Sequence, residues 1–208
     1  MVRTMARLAV RGALSVASAI PRAVAGPAPR NDRGVTLDSQ THVLIALNTR
    51  ARRPTYDVLG PERARREIVE QSFLGQLPLA PLHLVEDRRM EGPGGELALR
   101  VYTPRGGRDR LAALVYFHGV GFVLGDLESH DACCRHLAKH AEVVVVAVEY
   151  RLAPENPFPA AGEDACAAFQ WVHANAAELR VLPDRIGVGG DSAGGNLAAV
   201  VCQQMRLA

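Results

Sequence analysis

The sequence lacks several features that would place a protein of this length in a specialised class. Its 208 residues contain 4 cysteines and no C-x-x-C pair, so we expect reduced, buried thiols rather than a disulfide framework. The 24 basic and 22 acidic residues nearly balance, which gives no reason to expect nucleic acid as a partner. No internal repeat occurs, and hydrophobic residues make up 48% of the chain, enough for a sizeable core.

The first 29 residues allow two interpretations. Their arginines and small apolar residues are similar to a secretory signal, but Arg11 interrupts the apolar run. Arg3, Arg7 and Arg11 recur every four residues, as on an amphipathic helix too short to span a bilayer. We expect a cytoplasmic protein whose N-terminal helix packs on its own domain or makes peripheral membrane contact. Export is the alternative.

The pattern of apolar residues changes near Pro81, from helical spacing to alternation, and divides the chain into two predicted regions. Residues 1–84 are expected to form a helical cap, with helices that begin near Thr36 or Asp38 and at Pro61. Residues 85–208 open with alternating segments on either side of the "GPGG" turn, which predicts a β-hairpin.

From residue 111 onwards, apolar runs alternate with helical patterns. The strand candidates are "LAALVYFHG", "AEVVVVAVEY" and "RIGVGGDS", and the helix candidates are "SHDACCRHLAKH", "AAGEDACAAFQWVHANAAEL" and "AGGNLAAVVCQQM". This order predicts the α/β class, with a mostly parallel sheet flanked by helices. In such sheets the active site lies at the carboxyl ends of the strands, where both glycine-rich stretches of the chain fall.

The first glycine-rich stretch surrounds a candidate nucleophile, Ser192. The Gly190-Asp191-Ser192-Ala193-Gly194 run fits a tight strand-to-helix elbow that projects the serine hydroxyl above the sheet. The helix that follows places the Ala193 N–H beside a developing oxyanion.

The second stretch, "HGVGF" at 118–122, closes a buried strand. A glycine-rich loop at this position can direct several backbone N–H groups toward one point and complete an oxyanion hole. We assign the loop residues His118, Gly119, Val120 and Gly121 to that hole together with Ala193.

Four motifs in this order give the chain a family resemblance: "HGVGF", "GDLESHDACCRHLA", "VEYRLAPENPFPAA" and "GDSAGGNLA". Together they resemble the hormone-sensitive-lipase-like branch of the α/β-hydrolases. The resemblance implies hydrolysis of small carboxylic esters with short to medium acyl chains, through an acyl-enzyme on Ser192. It also implies that the Val120, Gly121 and Ala193 amides donate to the oxyanion, that His118 is structural, and that no cofactor is needed.

Two departures from the family pattern affect the expected chemistry. Val120 replaces the middle glycine of the family's His-Gly-Gly-Gly loop, and its β-branch disfavours a positive φ. The family's triad continues after the serine with an acidic residue and then a histidine, but residues 193–208 contain no Asp, Glu or His. We therefore expect a chain that is C-terminally truncated, lacks the later strands, and is inactive or weakly active.

Three alternatives stay open at this point. The chain could be a non-catalytic product that binds an acyl ligand or a partner, or an amide hydrolase on the same scaffold. A zinc site at Cys133, His136 and His140 would also fit one helix stripe, but packing explains the same spacing and we predict no metal. The natural substrate and the oligomeric state do not follow from the residues.

Overall fold

The computed structural model describes residues 25–50, 54–75, 78–106 and 109–207. The predicted amphipathic helix near the N-terminus therefore lies outside the described residues over positions 1–24. The helices are α1 (Ser39–Arg50), α2 (Tyr56–Leu59), α3 (Pro61–Gly75), α4 (Asp131–Ala141), α5 (Ala160–Ala174) and α6 (Ala193–Leu207). The strands are β1 (Leu84–Gly92), β2 (Gly95–Thr103), β3 (Leu111–Phe117), β4 (Val144–Val148) and β5 (Val181–Gly190).

The chain divides into two compact units, which we describe separately. The first comprises residues 1–60 and 73–75, and the second comprises residues 61–72 and 76–208. In the first unit, α1 begins after Asp38, whose carboxylate accepts hydrogen bonds from the Gln40 and Thr41 amides, as predicted for a helix N-cap. No helix among the residues described is long and apolar enough to cross a membrane.

The second unit contains a five-stranded sheet in the order β1-β2-β4-β3-β5. The sheet is mixed: β4, β3 and β5 are parallel, whereas the β1–β2 hairpin joins β4 antiparallel through β2. The hairpin turns at Pro93 and Gly94, within the predicted "GPGG" segment. The predicted strand–helix alternation from residue 111 is confirmed.

Strand β5 begins earlier than the sequence suggested. It starts at Val181 rather than near Arg185, and its register against β3 shifts between Leu111 and Ala113. Pro183 lies inside this shift, where a residue without an N–H is tolerated because the regular ladder is interrupted.

Alternating strand residues build a core on each face of the sheet. Val144, Val146 and Val148 of β4 pack on one face with buried residues of α5 and α6, while Val145 and Ala147 pack on the other with Cys134 and Ala138 of α4. The continuous valine run is therefore explained by burial on both faces. This helix–sheet–helix arrangement fixes the positions of the loops that follow each strand.

The expectation that the cysteines are buried is wrong for two of them. All four are free, and Cys134 is buried, but Cys133 and Cys202 are exposed. Cys133 lies between the buried Ala132 and Cys134 near the start of α4, and its Sγ lies 3.7 Å from the Tyr116 hydroxyl at the end of β3.

Candidate active site

The candidate nucleophile lies between β5 and α6, as the elbow motif predicts. Ser192 follows the last strand residue by two positions, is exposed, and has a φ of 50°. A non-glycine residue with positive φ is uncommon, and such strain is typical of functional turns. The Gly194 N–H donates to the Asp191 carbonyl at 2.8 Å, which closes the turn around the serine.

Gly190 and Gly194 are required by the close approach of the elbow to the end of β3. A Cβ atom at either position would overlap the Phe117 carbonyl oxygen. Strand pairing brings the two segments together, since Phe117 and Gly190 are partners in the parallel β3–β5 ladder. The elbow therefore packs directly against the start of the predicted oxyanion loop.

The loop predicted to form the oxyanion hole follows β3 and has an unusual backbone. Val120, Gly121 and Phe122 all have positive φ values, of 73°, 71° and 63°. The valine thus adopts the conformation that its β-branch disfavours. The Leu124 N–H donates to the Val120 carbonyl at 3.2 Å and helps to close the turn.

His118 supports this loop from inside the protein. Its ring is 2% exposed and stacks on Tyr150, with the ring centroids 4.4 Å apart. Nδ1 lies 3.0 Å from the Gly119 carbonyl oxygen, so this nitrogen carries the proton and donates it. Burial lowers the pKa of His118 to about 4, so the ring is neutral at pH 7 and acts as a structural element of the loop.

Asp191 makes contacts that the sequence did not predict. The Tyr116 hydroxyl donates to Asp191 Oδ1 at 2.8 Å, and His130 Nε2 lies 3.5 Å from the same oxygen. Burial raises the pKa of Tyr116, and the bond to Asp191 adds to this effect. Tyr116 is the last residue but one of β3. Its place at the end of a strand beside the elbow is the one sequence signal that could have predicted the contact with Asp191.

An apolar cleft of about 410 Å³ adjoins the oxyanion loop. Gly121 and Phe122 of the loop form one side, and Asn196, Leu197 and Val200 of α6 form another. The outer rim carries Phe158, whose side chain is 95% exposed. Asn196, Leu197 and Val200 belong to the first turns of α6, so the cleft runs along the helix that follows the candidate nucleophile, and Ser192 itself does not line it.

The stripe of Cys133, His136 and His140 is the alternative zinc site that the sequence pattern allows. The residues that the structure describes contain no group of three or more His, Cys, Asp or Glu side chains placed to hold a metal ion. Instead His136 Nε2 donates to the Pro78 carbonyl at 3.0 Å, and the His136 and His140 rings stack at 5.6 Å. Packing thus accounts for the helical spacing.

Comparisons with known proteins agree with this geometry. Residues 114–208 match the family described as alpha/beta hydrolase fold. The chain is 52% identical over 132 residues to the carboxylic ester hydrolase LipN of Mycobacterium tuberculosis, a match that covers 62% of this chain and 35% of that one.

Solved structures that are similar to this chain are also named ester hydrolases or esterases. An ester hydrolase from the metagenome of Lake Arreo superposes with a TM-score of 0.74 at 41% identity, and the hyperthermophilic esterase of Pyrobaculum calidifontis with 0.72 at 43%. Each match covers 78% of this chain and 52% of the solved one. The chain therefore spans between about a third and about half of the length of these relatives.

The mixed sheet, the serine elbow and the glycine-rich loop beside it define an alpha/beta hydrolase core. The resemblance of its four motifs to the hormone-sensitive-lipase-like family agrees with these comparisons, since the matched proteins are named carboxylic ester hydrolase and esterase.

Proposed function

We propose that this chain supplies the nucleophile and the oxyanion hole of a serine carboxylic ester hydrolase. The observation that carries the proposal is the contact between the two loops: the elbow that presents Ser192 packs on the end of β3, from which the Val120–Gly121 turn begins. A serine hydroxyl and backbone amides that can donate to an oxyanion are two of the elements that acyl transfer requires.

In the proposed mechanism, Ser192 Oγ attacks the ester carbonyl to form a tetrahedral oxyanion. The amides of Val120, Gly121 and Ala193 stabilise that charge, and the positive end of the α6 dipole adds to them. The C–O bond to the alcohol then breaks, and the alcohol leaves with the proton that a base has taken from Ser192. Water, deprotonated by the same base, attacks the acyl-enzyme, and the proton returns to Ser192 as the acid is released. Removal of the proton from Ser192 needs a base, and the residues of the chain after Ser192 contain no Asp, Glu or His.

The substrate that we propose is a small ester with a short to medium acyl chain. The cleft of about 410 Å³ falls at the lower end of the range for small-molecule sites, roughly 300–1,000 Å³. Its walls are largely apolar, with Phe122, Leu197 and Val200 facing the space, which suits an alkyl group rather than a charged one. The cap assignment of residues 1–84 and a cytoplasmic location stay predictions.

The test uses two chains: residues 1–208 alone, and the same residues followed by the segment of the Pyrobaculum calidifontis esterase that continues beyond the matched part. We expect the joined chain to hydrolyse p-nitrophenyl butyrate and to react with a fluorophosphonate probe, because the added segment comes from an esterase. Ser192→Ala should abolish both signals. Ser129→Ala, which changes a serine in a neighbouring loop, is the matched control and should retain them.

A folded joined chain that does not hydrolyse the ester, or one in which hydrolysis survives Ser192→Ala, would contradict the proposal. The chain of residues 1–208 should label far more slowly than the joined chain, because an unactivated serine is a weak nucleophile.

A further inference from the structure

The backbone of the oxyanion loop requires support from outside the loop. Three consecutive residues have positive φ, and two of them, Val120 and Phe122, are not glycine. Such conformations persist only where surrounding contacts hold them in place. The Val123 carbonyl, directly after these residues, accepts a hydrogen bond from the Arg65 side chain of α3.

Arg65 of α3 connects the loop to the segment after β4. Its Nε–H donates to the Val123 carbonyl at 2.8 Å, and one terminal nitrogen donates to the Ala153 carbonyl at 2.9 Å. The two terminal nitrogens also bind the Glu155 carboxylate, at 3.0 and 2.7 Å. The guanidinium therefore holds two backbone carbonyls while its own position is fixed by a carboxylate.

The same two segments are also joined directly. The Ala153 N–H donates to the Phe122 carbonyl at 2.9 Å. Arg65 thus binds the carbonyls of Val123 and Ala153, and the Ala153 N–H binds the carbonyl of Phe122, the residue before Val123, so these four residues close a ring. Consecutive carbonyls of the loop, those of Phe122 and Val123, are both engaged immediately after the Val120–Gly121 turn.

We propose that Arg65 is a positioning residue for the oxyanion hole: it holds the loop in the conformation that directs the Val120 and Gly121 amides toward the carbonyl on Ser192. This role rests on the proposed function, because it matters for catalysis only if those amides are the donors. A planar fork fits this site, since Arg65 reaches Val123, Ala153 and Glu155 through three separate nitrogens, whereas a lysine has all of its donors on one nitrogen.

The first experiment measures amide hydrogen exchange in the chain of residues 1–208. The reporters are the Leu124 and Ala153 amides, which donate to the Val120 and Phe122 carbonyls, and the reference is the Glu149 amide, which donates to Ala98 at 3.0 Å. In Arg65→Ala we expect both reporters to exchange about tenfold faster, because a charge-assisted hydrogen bond is lost. Arg65→Lys should give nearly the same increase, and the reference should not change.

Arg66→Ala is the matched control, because Arg66 is the next residue on α3 and its 3.9 Å pair with Glu62 is largely exposed. Reporter rates equal to those of the unsubstituted chain in Arg65→Ala would overturn the proposal, and so would a full rescue by Arg65→Lys. If the Glu149 reference amide also exchanges faster in Arg65→Ala, that variant weakens the whole fold. The exchange rates of Arg65→Lys then decide: faster reporters with an unchanged reference support the proposal, and unchanged reporters overturn it.

The second experiment uses the joined chain described above. We expect Arg65→Lys to lower kcat about tenfold while KM for p-nitrophenyl butyrate stays within about twofold, because the lost interaction serves the transition state. A rise in KM with unchanged kcat would overturn the positioning role. If the joined chain shows no hydrolysis that depends on Ser192, the proposed function fails, and the exchange rates still decide whether Arg65 holds the loop.

Discussion

Replacing Asp164 should test how much one buried carboxylate contributes to the scaffold beneath the site. Asp164 is 1% exposed and accepts hydrogen bonds from the Arg151 backbone N–H, at 2.9 Å, and from the guanidinium, at 2.8 Å. Loss of one partner from a fully buried ion pair costs roughly 3–5 kcal/mol. Arg151 is 25% exposed and also contacts Glu163 at 3.2 Å, so we expect Asp164→Ala to lower the free energy of unfolding by about 2–3 kcal/mol.

Glu163→Ala is the matched control for this prediction. It removes the same charge from the same arginine one residue earlier on α5, but its side chain is 50% exposed, so we expect a loss below about 0.5 kcal/mol. The assay is urea unfolding followed by the fluorescence of Trp171, the single tryptophan of the chain, which lies on α5. Equal losses in the two variants would refute the argument that burial of Asp164 sets the magnitude.

Two further predictions concern the elbow and a buried acid. Gly194→Ala should lower the free energy of unfolding by about 3 kcal/mol or more, because the added Cβ would overlap the Phe117 carbonyl. The control is Gly162→Ala, whose added Cβ would have its nearest neighbour at 4.0 Å and should cause no loss in the same urea titration. Equal losses in the two variants would contradict this reasoning. Burial raises the pKa of Glu149 to about 7 from 4.5, so between these values the folded chain holds a proton on Glu149 that the unfolded chain has lost. The stability that the protonated Glu149 contributes is therefore fully present below pH 4.5 and is lost as the pH rises through about 7. Glu149→Gln should flatten the dependence of the unfolding free energy on pH in this range, and an unchanged pH profile would show that Glu149 does not titrate there.

The sequence predicted most of the elements around the site because local patterns determine them. The valine run of β4, the "GPGG" turn and the glycines around Ser192 each specify a conformation through neighbouring residues. The hairpin, the three helices that cover the sheet and the elbow were therefore expected before the structure was known.

The parts that the sequence did not predict depend on contacts between distant residues. The pairing of Tyr116 with Asp191 and the attachment of Arg65 to Val123 join residues 75 and 58 positions apart. The arginine stands among several arginines of "PERARRE", and nothing local distinguishes it from Arg63 or Arg66. The early start of β5 was missed for a similar reason, because its first residues pair with β3 across an interruption that no periodicity marks.

The order of the strands has a consequence for the time course of folding. The β1–β2 hairpin pairs residues as close as Gly92 and Gly95, whereas the β3–β5 ladder joins Phe117 to Gly190, 73 positions apart. Because the closure of long loops slows the formation of non-local pairs, the hairpin can form early and the β3–β5 ladder late. That ladder aligns the strand ends from which the Ser192 elbow and the Val120 turn begin. The elements that would carry out the chemistry therefore assemble among the last, on a sheet that is already largely built.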